Sequence, residues 1–372
     1  MTPRWPYTLV LVAFLALIGA RWDSRTGFTS VLRFSEGYAK KRIAPLRDLP
    51  VATFPTGNGY DGQFYVQLAL SPTLRDPGLT EALDAPAYRA RRILPAWTAW
   101  MLGFGRPWLV VNAFALLNVF CWLALAWLLP RWLPGAGARP FAAWACVLLG
   151  VGCLESVRLS LTDLPATLLL ALGVCALETG RRRGAVLAFA GAALTKETSL
   201  FVCSVFTGSA GRTFSWRTSF LGTLGVALPL LLWSAYVSHV FGFDASAGQG
   251  NFDWPGLAWV RHVGHCVQAL AAGDFDGRYS FGLLAALSLA WQALWLWRHR
   301  RPENAWWRIG AAYALLLPFL GDGVWHGYWA ALRAVLPLTL AYTLLIRDDK
   351  RFWLLLLLGQ VTLPHALWRF LP

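Results

Sequence analysis

Trp108–Leu129 reads WLVVNAFALLNVFCWLALAWLL, a run without one charged side chain. A helix rising about 1.5 Å per residue over such a run covers the roughly 30 Å hydrocarbon core of a bilayer. Apolar stretches recur outward from it: Tyr7–Ala20, Phe141–Leu154, Leu164–Leu177, Ala185–Leu194, Ser199–Thr207, Ser219–Phe241, Tyr279–Trp297, Ile309–Leu320, Ala334–Ile346 and Phe352–Leu371. Of 372 residues, 57% are hydrophobic and 14% charged, with a mean hydropathy of +0.48. Lipid rather than water is the main solvent for such a composition. The expected fold class is all-α, a polytopic membrane helix bundle of about ten or eleven membrane segments. Tyr7–Ala20 is short enough for a signal peptide, but no small-x-small cleavage site precedes Arg21–Trp22–Asp23, so it reads as an uncleaved first helix.

The net charge of +14 comes from 33 Lys+Arg against 19 Asp+Glu, and only Lys40, Lys41, Lys196 and Lys350 are lysines. That is not the solvated lysine surface of a nucleic-acid binder, and the excess reads as topology and lipid contact. With the N-terminus cytoplasmic, the short inner segments hold Arg4, Arg131, Arg139, Arg181, Arg182, Arg183, Arg212, Arg217, Arg298, Arg300, Arg301, Arg308, Arg347, Lys350 and Arg351. The short outer segments hold only Arg158, Lys196, Arg261, Arg278, Arg333 and Arg369, among acids. The positive-inside rule favours this orientation, and a loop as long as 21–92 crosses regardless of its charge. Five of the six cysteines lie inside apolar segments, so no disulfide framework or metal knuckle is indicated.

The outer loop 21–92 is too long for a connection and is punctuated by Pro45, Pro50, Pro55, Pro72 and Pro77 between helical stretches. Thr29–Ile43 mixes apolar residues with Arg33, Lys40, Lys41 and Arg42, as an interfacial amphipathic helix would, and Ile93–Gly103 is a second interfacial candidate. Ala185–Leu194 and Ser199–Thr207 flank Thr195–Lys196–Glu197–Thr198. They read as a broken or re-entrant pair whose polar joint faces a protein-lined cavity, or else as one long helix carrying a Lys–Glu pair.

Chemistry concentrates in a few places. In Gly59–Tyr60–Asp61–Gly62–Gln63–Phe64–Tyr65 a carboxylate sits between glycines and aromatics, immediately before an apolar helical turn. The glycines permit a tight turn and close approach to backbone. Asp61 falls near an N-cap, where it accepts amide hydrogen bonds, and a cap without chemistry is the alternative. Downstream, Asp84 leads into Arg89, Arg91 and Arg92, at the depth of a lipid phosphate or of ordinary snorkelling arginines. Glu155, Arg158 and Asp163 fall in one turn, and Lys196–Glu197 mark the break. Ionisable groups at membrane depth are costly, so each invites a functional reading beside structural ion pairing. His326 stands among aromatics, suited to packing or to a sugar contact. Asp274–Phe275–Asp276 has a spacing that can hold a divalent cation, or be a solvated turn. No phosphate-binding loop, zinc-protease motif or nucleophile elbow is present.

GYDGQFYVQLAL, with Pro86–Ala87–Tyr88–Arg89, Arg92–Ile93–Leu94–Pro95, Leu161–Thr162–Asp163, Leu194–Thr195–Lys196–Glu197–Thr198 and Leu332–Arg333–Ala334–Val335–Leu336–Pro337, resembles the glycosyltransferase-C superfamily. It is similar to the bacterial branch with a YDGQFYY-type motif, and distantly to GPI mannosyltransferase II-type proteins. The resemblance covers the first 210 residues well and the rest thinly. Val66 and Ala90 depart from it by replacing aromatics.

The resemblance implies a catalytic transmembrane module over 1–210, followed by C-terminal transmembrane helices over 211–372. It implies a bacterial inner-membrane enzyme whose active site faces the periplasm or cell exterior. That enzyme moves a sugar, with inversion, from a polyprenyl-phosphate donor to a lipid or glycan acceptor in the envelope. Asp61 would be the catalytic base or its close partner. Asp163 would lie near the acceptor or donor headgroup, and Lys196, Glu197 and Arg333 would bind the lipid phosphate; the reading of the residues themselves adds Tyr60, Gln63, Tyr65, Arg89, Arg92, Glu155, Arg158 and His326 as substrate-binding. No cofactor is required, although a divalent cation is compatible. A transporter or flippase of a lipid-linked sugar is the alternative, and would be expected to show paired broken segments in its two halves.

Overall fold

The computed structural model describes residues 5–55, 57–207, 216–242 and 248–371; Arg4 and Arg212 lie outside them. The described chain is helical almost throughout, and its one sheet is a parallel pair, Phe34 with Thr53 and Ser35 with Phe54. Among the described residues, four helices are long and apolar enough to cross a membrane: Pro107–Arg131, Ala138–Arg158, Trp216–Phe241 and Gly277–Arg298. A fifth crossing arises if Tyr328–Ala334 and Leu336–Leu345, bent by 65°, count as one span. Pro337 accounts for the bend, since its ring crowds the carbonyl of Arg333 four residues back and offers no N–H. The other apolar stretches form shorter helices, among them Trp5–Gly19, Asp163–Glu178, Arg182–Thr195, Ala305–Leu316, Phe352–Gly359 and Leu363–Phe370. Trp216–Phe241 turns Phe220, Leu221, Leu228, Leu231 and Leu232 outward, unpartnered apolar surface of the kind lipid would cover.

Segment 21–92 builds its own apolar core, in which Leu32, Phe34, Ile43, Leu46, Val66, Leu68 and Leu79 pack with Ile93, Val110 and Val111. Two buried glutamines tie its backbone together. Gln63 accepts from Ser35 N at 3.0 Å and donates to Asn58 O at 2.7 Å. Gln67 accepts from Ile43 N at 3.0 Å and donates to Ala82 O at 3.0 Å. The amphipathic helix expected over Thr29–Ile43 does not form. Thr29–Leu32 and Glu36–Lys41 are separate 3₁₀ turns, broken at Arg33 (φ 55°) by the strand that pairs with Thr53–Phe54. Helices do occur later in the segment, at Gly62–Leu70 and Pro86–Ala90, and Leu94–Leu102 forms the second expected one.

Asp163–Glu178 and Arg182–Thr195 form an antiparallel hairpin, which brings the first residue of one helix and the residue after the other, Lys196, to the same end. Lys196 is extended (φ −159°, ψ 123°), and a 3₁₀ helix, Glu197–Thr207, follows. The chain therefore breaks at the polar joint, as the broken-pair reading expects. The hairpin closes because Gly173 lies flat on the Phe189 ring: a Cβ there would sit 2.1 Å from Phe189 Cε1. Small residues allow such close helix approach within a bilayer. Gly173→Ala is expected to destabilise the protein by about 1–3 kcal/mol through overpacking, and Phe189→Leu in the same chain to recover part of it. Thermal unfolding in detergent reads both, and additive losses would contradict this packing.

Candidate functional site

The GYDG turn is shaped by its glycines. Gly59 has φ +70°, and a Cβ there would meet Arg33 O at 2.4 Å; one on Gly62 would meet Leu159 O at 2.7 Å. Tyr60 and Asp61 are thereby presented on backbone pressed against residues 33 and 159. Asp61 occupies the N-cap position of Gly62–Leu70, but its side chain makes no capping bond, contrary to the expectation from sequence. The carboxylate instead turns to Arg89, with Oδ1 3.0 Å from Nη2. Oδ2 has no protein partner among the described residues, and the side chain keeps 31% of its exposure.

Arg89 is clamped from the other side by Asp84, Nε to Oδ1 at 2.9 Å and Nη2 to Oδ2 at 2.7 Å. Arg92 donates to Glu197 at 2.9 Å, to the Tyr65 hydroxyl at 2.8 Å and to the Tyr88 hydroxyl at 2.6 Å. Burial alone would lower the pKa of each guanidinium. It is outweighed at Arg89 by Asp84, Tyr65 and Asp61, and at Arg92 by Glu197, Tyr65 and Tyr88, so both are held above the ordinary arginine range. Asp163 bridges Lys196 through Oδ1 and Arg333 through Oδ2, the latter at 3.0 Å. Arg333 also donates to the Tyr60 hydroxyl at 2.9 Å, as does Trp329 Nε1 at 3.2 Å.

These groups line one cavity of about 720 Å³, whose wall includes Tyr60, Asp61, Tyr65, Arg89, Arg92, Asp163, Lys196, Glu197 and Arg333. Its charged lining consists of the acids Asp61, Asp84, Asp163 and Glu197 and the bases Arg89, Arg91, Arg92, Lys196 and Arg333. The guanidinium of Arg91 has no partner among the described residues, which makes it the uncommitted cation of the wall.

Four expected site residues lie elsewhere. Gln63 is spent on backbone inside the 21–92 core. Glu155 and Arg158 do not join Asp163: Glu155 is 2.7 Å from Arg158 and 2.7 Å from Arg369, because the helix Val151–Arg158 ends before the turn that starts the next one. His326 is exposed and lines none of this cavity. Asp274 and Asp276 cap a turn, accepting from Asp276 N at 3.1 Å and Arg278 N at 2.7 Å, and no group of three ligating side chains occurs among the described residues. Asp84, Tyr88 and Arg91 stand in stretches that the sequence marks but were given no substrate-binding role, and Trp329 was given none either. Asp84 was findable, since it stands five residues before Arg89 in the same short segment. Nothing local marks Trp329, which reaches Tyr60 from far along the chain.

The triad has a testable energetic signature. Lys196, Asp163 and Arg333 keep only 11%, 7% and 10% of their side-chain exposure. Asp163→Asn would leave two buried cations facing each other, a loss of about 3–5 kcal/mol for a broken buried pair. Asp163→Asn combined with Lys196→Gln is expected to unfold at a higher temperature than Asp163→Asn alone; a lower or equal midpoint would mean that the triad is not coupled. Comparison with protein-family models, with curated proteins and with solved structures gave no match to this chain.

Proposed function

We propose that the protein is a membrane glycosyltransferase that moves a sugar from a polyprenyl-phosphate donor to a lipid or glycan acceptor, with inversion at the anomeric carbon. The observation that carries this reading is a carboxylate with one oxygen anchored and one unengaged, on the wall of a cavity that also presents five cations. In this reading Arg89 orients Asp61, and Asp61 Oδ2 takes the proton of the acceptor hydroxyl. The hydroxyl oxygen bonds to the anomeric carbon as the bond from that carbon to the phosphate oxygen breaks. A positioned base of this kind contributes about 10²–10⁴-fold. The departing polyprenyl phosphate gains charge, which Arg92 and Lys196 would stabilise electrostatically, without need of protonation, while Arg91 would hold the donor phosphate before and during transfer. The cavity would face the periplasm or cell exterior of a bacterial inner membrane, as the arginine distribution argues. The shorter helices would complete about ten or eleven membrane segments around it.

Full-length protein in membranes supplied with undecaprenyl-phosphate hexoses and pentoses tests the reading. Asp61→Asn is expected to lower sugar transfer by at least about 10²-fold while Arg89, still held by Asp84, preserves the fold. Transfer retained by the variant would reject the base assignment, and lipid crossing without transfer by the wild type would favour a flippase. Arg91→Gln is expected to raise the KM for donor about tenfold, the loss of one charge-assisted contact, and to leave kcat nearly unchanged. An unchanged KM would remove Arg91 from donor binding.

A further inference from the structure

A second cavity, of about 510 Å³, has Trp329 in its wall and is not used by the chemistry above. Its walls are aromatic: Phe281 stacks on His365 with ring centroids 4.1 Å apart, and Tyr328, Trp329 and Trp368 complete the lining. Beside Asp276 and His365, its polar lining holds three donors with unused capacity, Arg278, Tyr328 and Arg369. Arg369 packs over Trp329 at 4.4 Å and is anchored through Nε alone, at 2.7 Å from buried Glu155; its two Nη groups have no protein partner among the described residues. The Tyr328 hydroxyl is buried without a hydrogen-bond partner, on a residue only 1% exposed. Arg278 stands in the wall with its guanidinium unpaired among the described residues, and the adjacent Asp276, also in the wall, accepts from Arg278 N through Oδ1 at 2.7 Å while its Oδ2 has no protein partner among the described residues. An orphaned buried hydroxyl is costly unless something accepts from it.

We propose that this cavity is a binding site for an anionic saccharide, one bearing a carboxylate or phosphate. Arg278, Arg369 and Tyr328 donate to the anion while the aromatic walls take the apolar face of the sugar ring. Trp329, in the wall of this cavity, bonds through Nε1 to the hydroxyl of Tyr60, which lines the cavity that holds Asp61. Resting on the transferase reading, the anionic saccharide is the acceptor class, since the donor occupies the cavity that holds Asp61. The chemistry is the same whether the saccharide is free or is the headgroup of a lipid.

The test uses the full chain in phosphatidylcholine nanodiscs, with saturation-transfer NMR of methyl glucuronide, glucose 6-phosphate and neutral methyl glucoside. The charged sugars are expected to bind at least about tenfold more tightly than methyl glucoside. Arg278→Gln and Tyr328→Phe should each weaken charged-sugar binding severalfold to tenfold. Arg278 is exposed, so its replacement spares the fold, and donor lipid should bind that variant as it binds the wild type. Nanodiscs carrying glucuronosyl diacylglycerol separate the sources: displacement of methyl glucuronide by the lipid assigns a headgroup, and no displacement assigns a free glycan. Equal affinity for charged and neutral sugars, or charged-sugar binding untouched by both substitutions, overturns the proposal. Selective binding without sugar transfer would leave this site standing and remove the transferase reading. Transfer without charge selectivity would do the reverse.

Discussion

The contact of Asp163 with Lys196 and Arg333 holds the rest in register. It ties the start of one hairpin helix to the residue after its partner, and both to the bent helix late in the chain. A buried ion triad is a poor source of net stability, because desolvating three charges offsets most of their attraction. Its value lies in discrimination: a helix slipped by one turn would strand an unpaired charge among apolar side chains. Arg333 passes this register to Tyr60, and Tyr60 lies next to Asp61. The position of the acid on the 21–92 segment is thus fixed by a residue more than two hundred positions away.

The helical architecture was legible because lipid-length apolar runs leave little choice of structure, as Trp108–Leu129 illustrates. The break at Lys196 was legible for the complementary reason, since Thr195–Lys196–Glu197–Thr198 cannot stay in a continuous lipid-facing helix. The 21–92 segment was less legible. Its Thr29–Ile43 portion has helical composition, but the backbone donors of Ser35 and Ile43 go to Gln63 and Gln67, which are distant in sequence. A tertiary hydrogen bond of that kind overrides local preference and leaves no local trace.

Within the site, polar residues in apolar surroundings announced themselves: Asp61, Arg89, Arg92, Asp163, Lys196, Glu197 and Arg333 all reached one cavity. Gln63 was misplaced for a reason that helix geometry supplies. Residues two apart on a helix point roughly 200° from one another, so Asp61 and Tyr65 share one face while Gln63 and Gln67 share the opposite one. Once Asp61 and Tyr65 are assigned to the cavity, Gln63 must point into the segment's own core, where the structure puts it. Glu155 and Arg158 belong to a different constellation, because the four residues between Arg158 and Asp163 include a turn that separates them.

The balance of charge on the cavity wall bears on what it can hold. Asp84, Asp163 and Glu197 each neutralise a base already, and Asp61 shares Arg89 with Asp84, so most of the five cations are committed before any ligand arrives. Five bases against four acids leave one positive charge in excess, and Arg91 is the cation without a partner among the described residues. A wall of that kind suits a phosphodiester, which carries a single negative charge, better than a pyrophosphate, which would need more uncommitted cations to offset its desolvation. In the proposed transfer the phosphate would become a monoester and gain charge as the sugar leaves. The paired Arg92 and Lys196 would then answer it by loosening their bonds to Glu197 and Asp163. An arrangement in which the ground state meets one spare cation and the transition state meets several would stabilise the second more than the first, which is the condition for catalysis rather than mere binding.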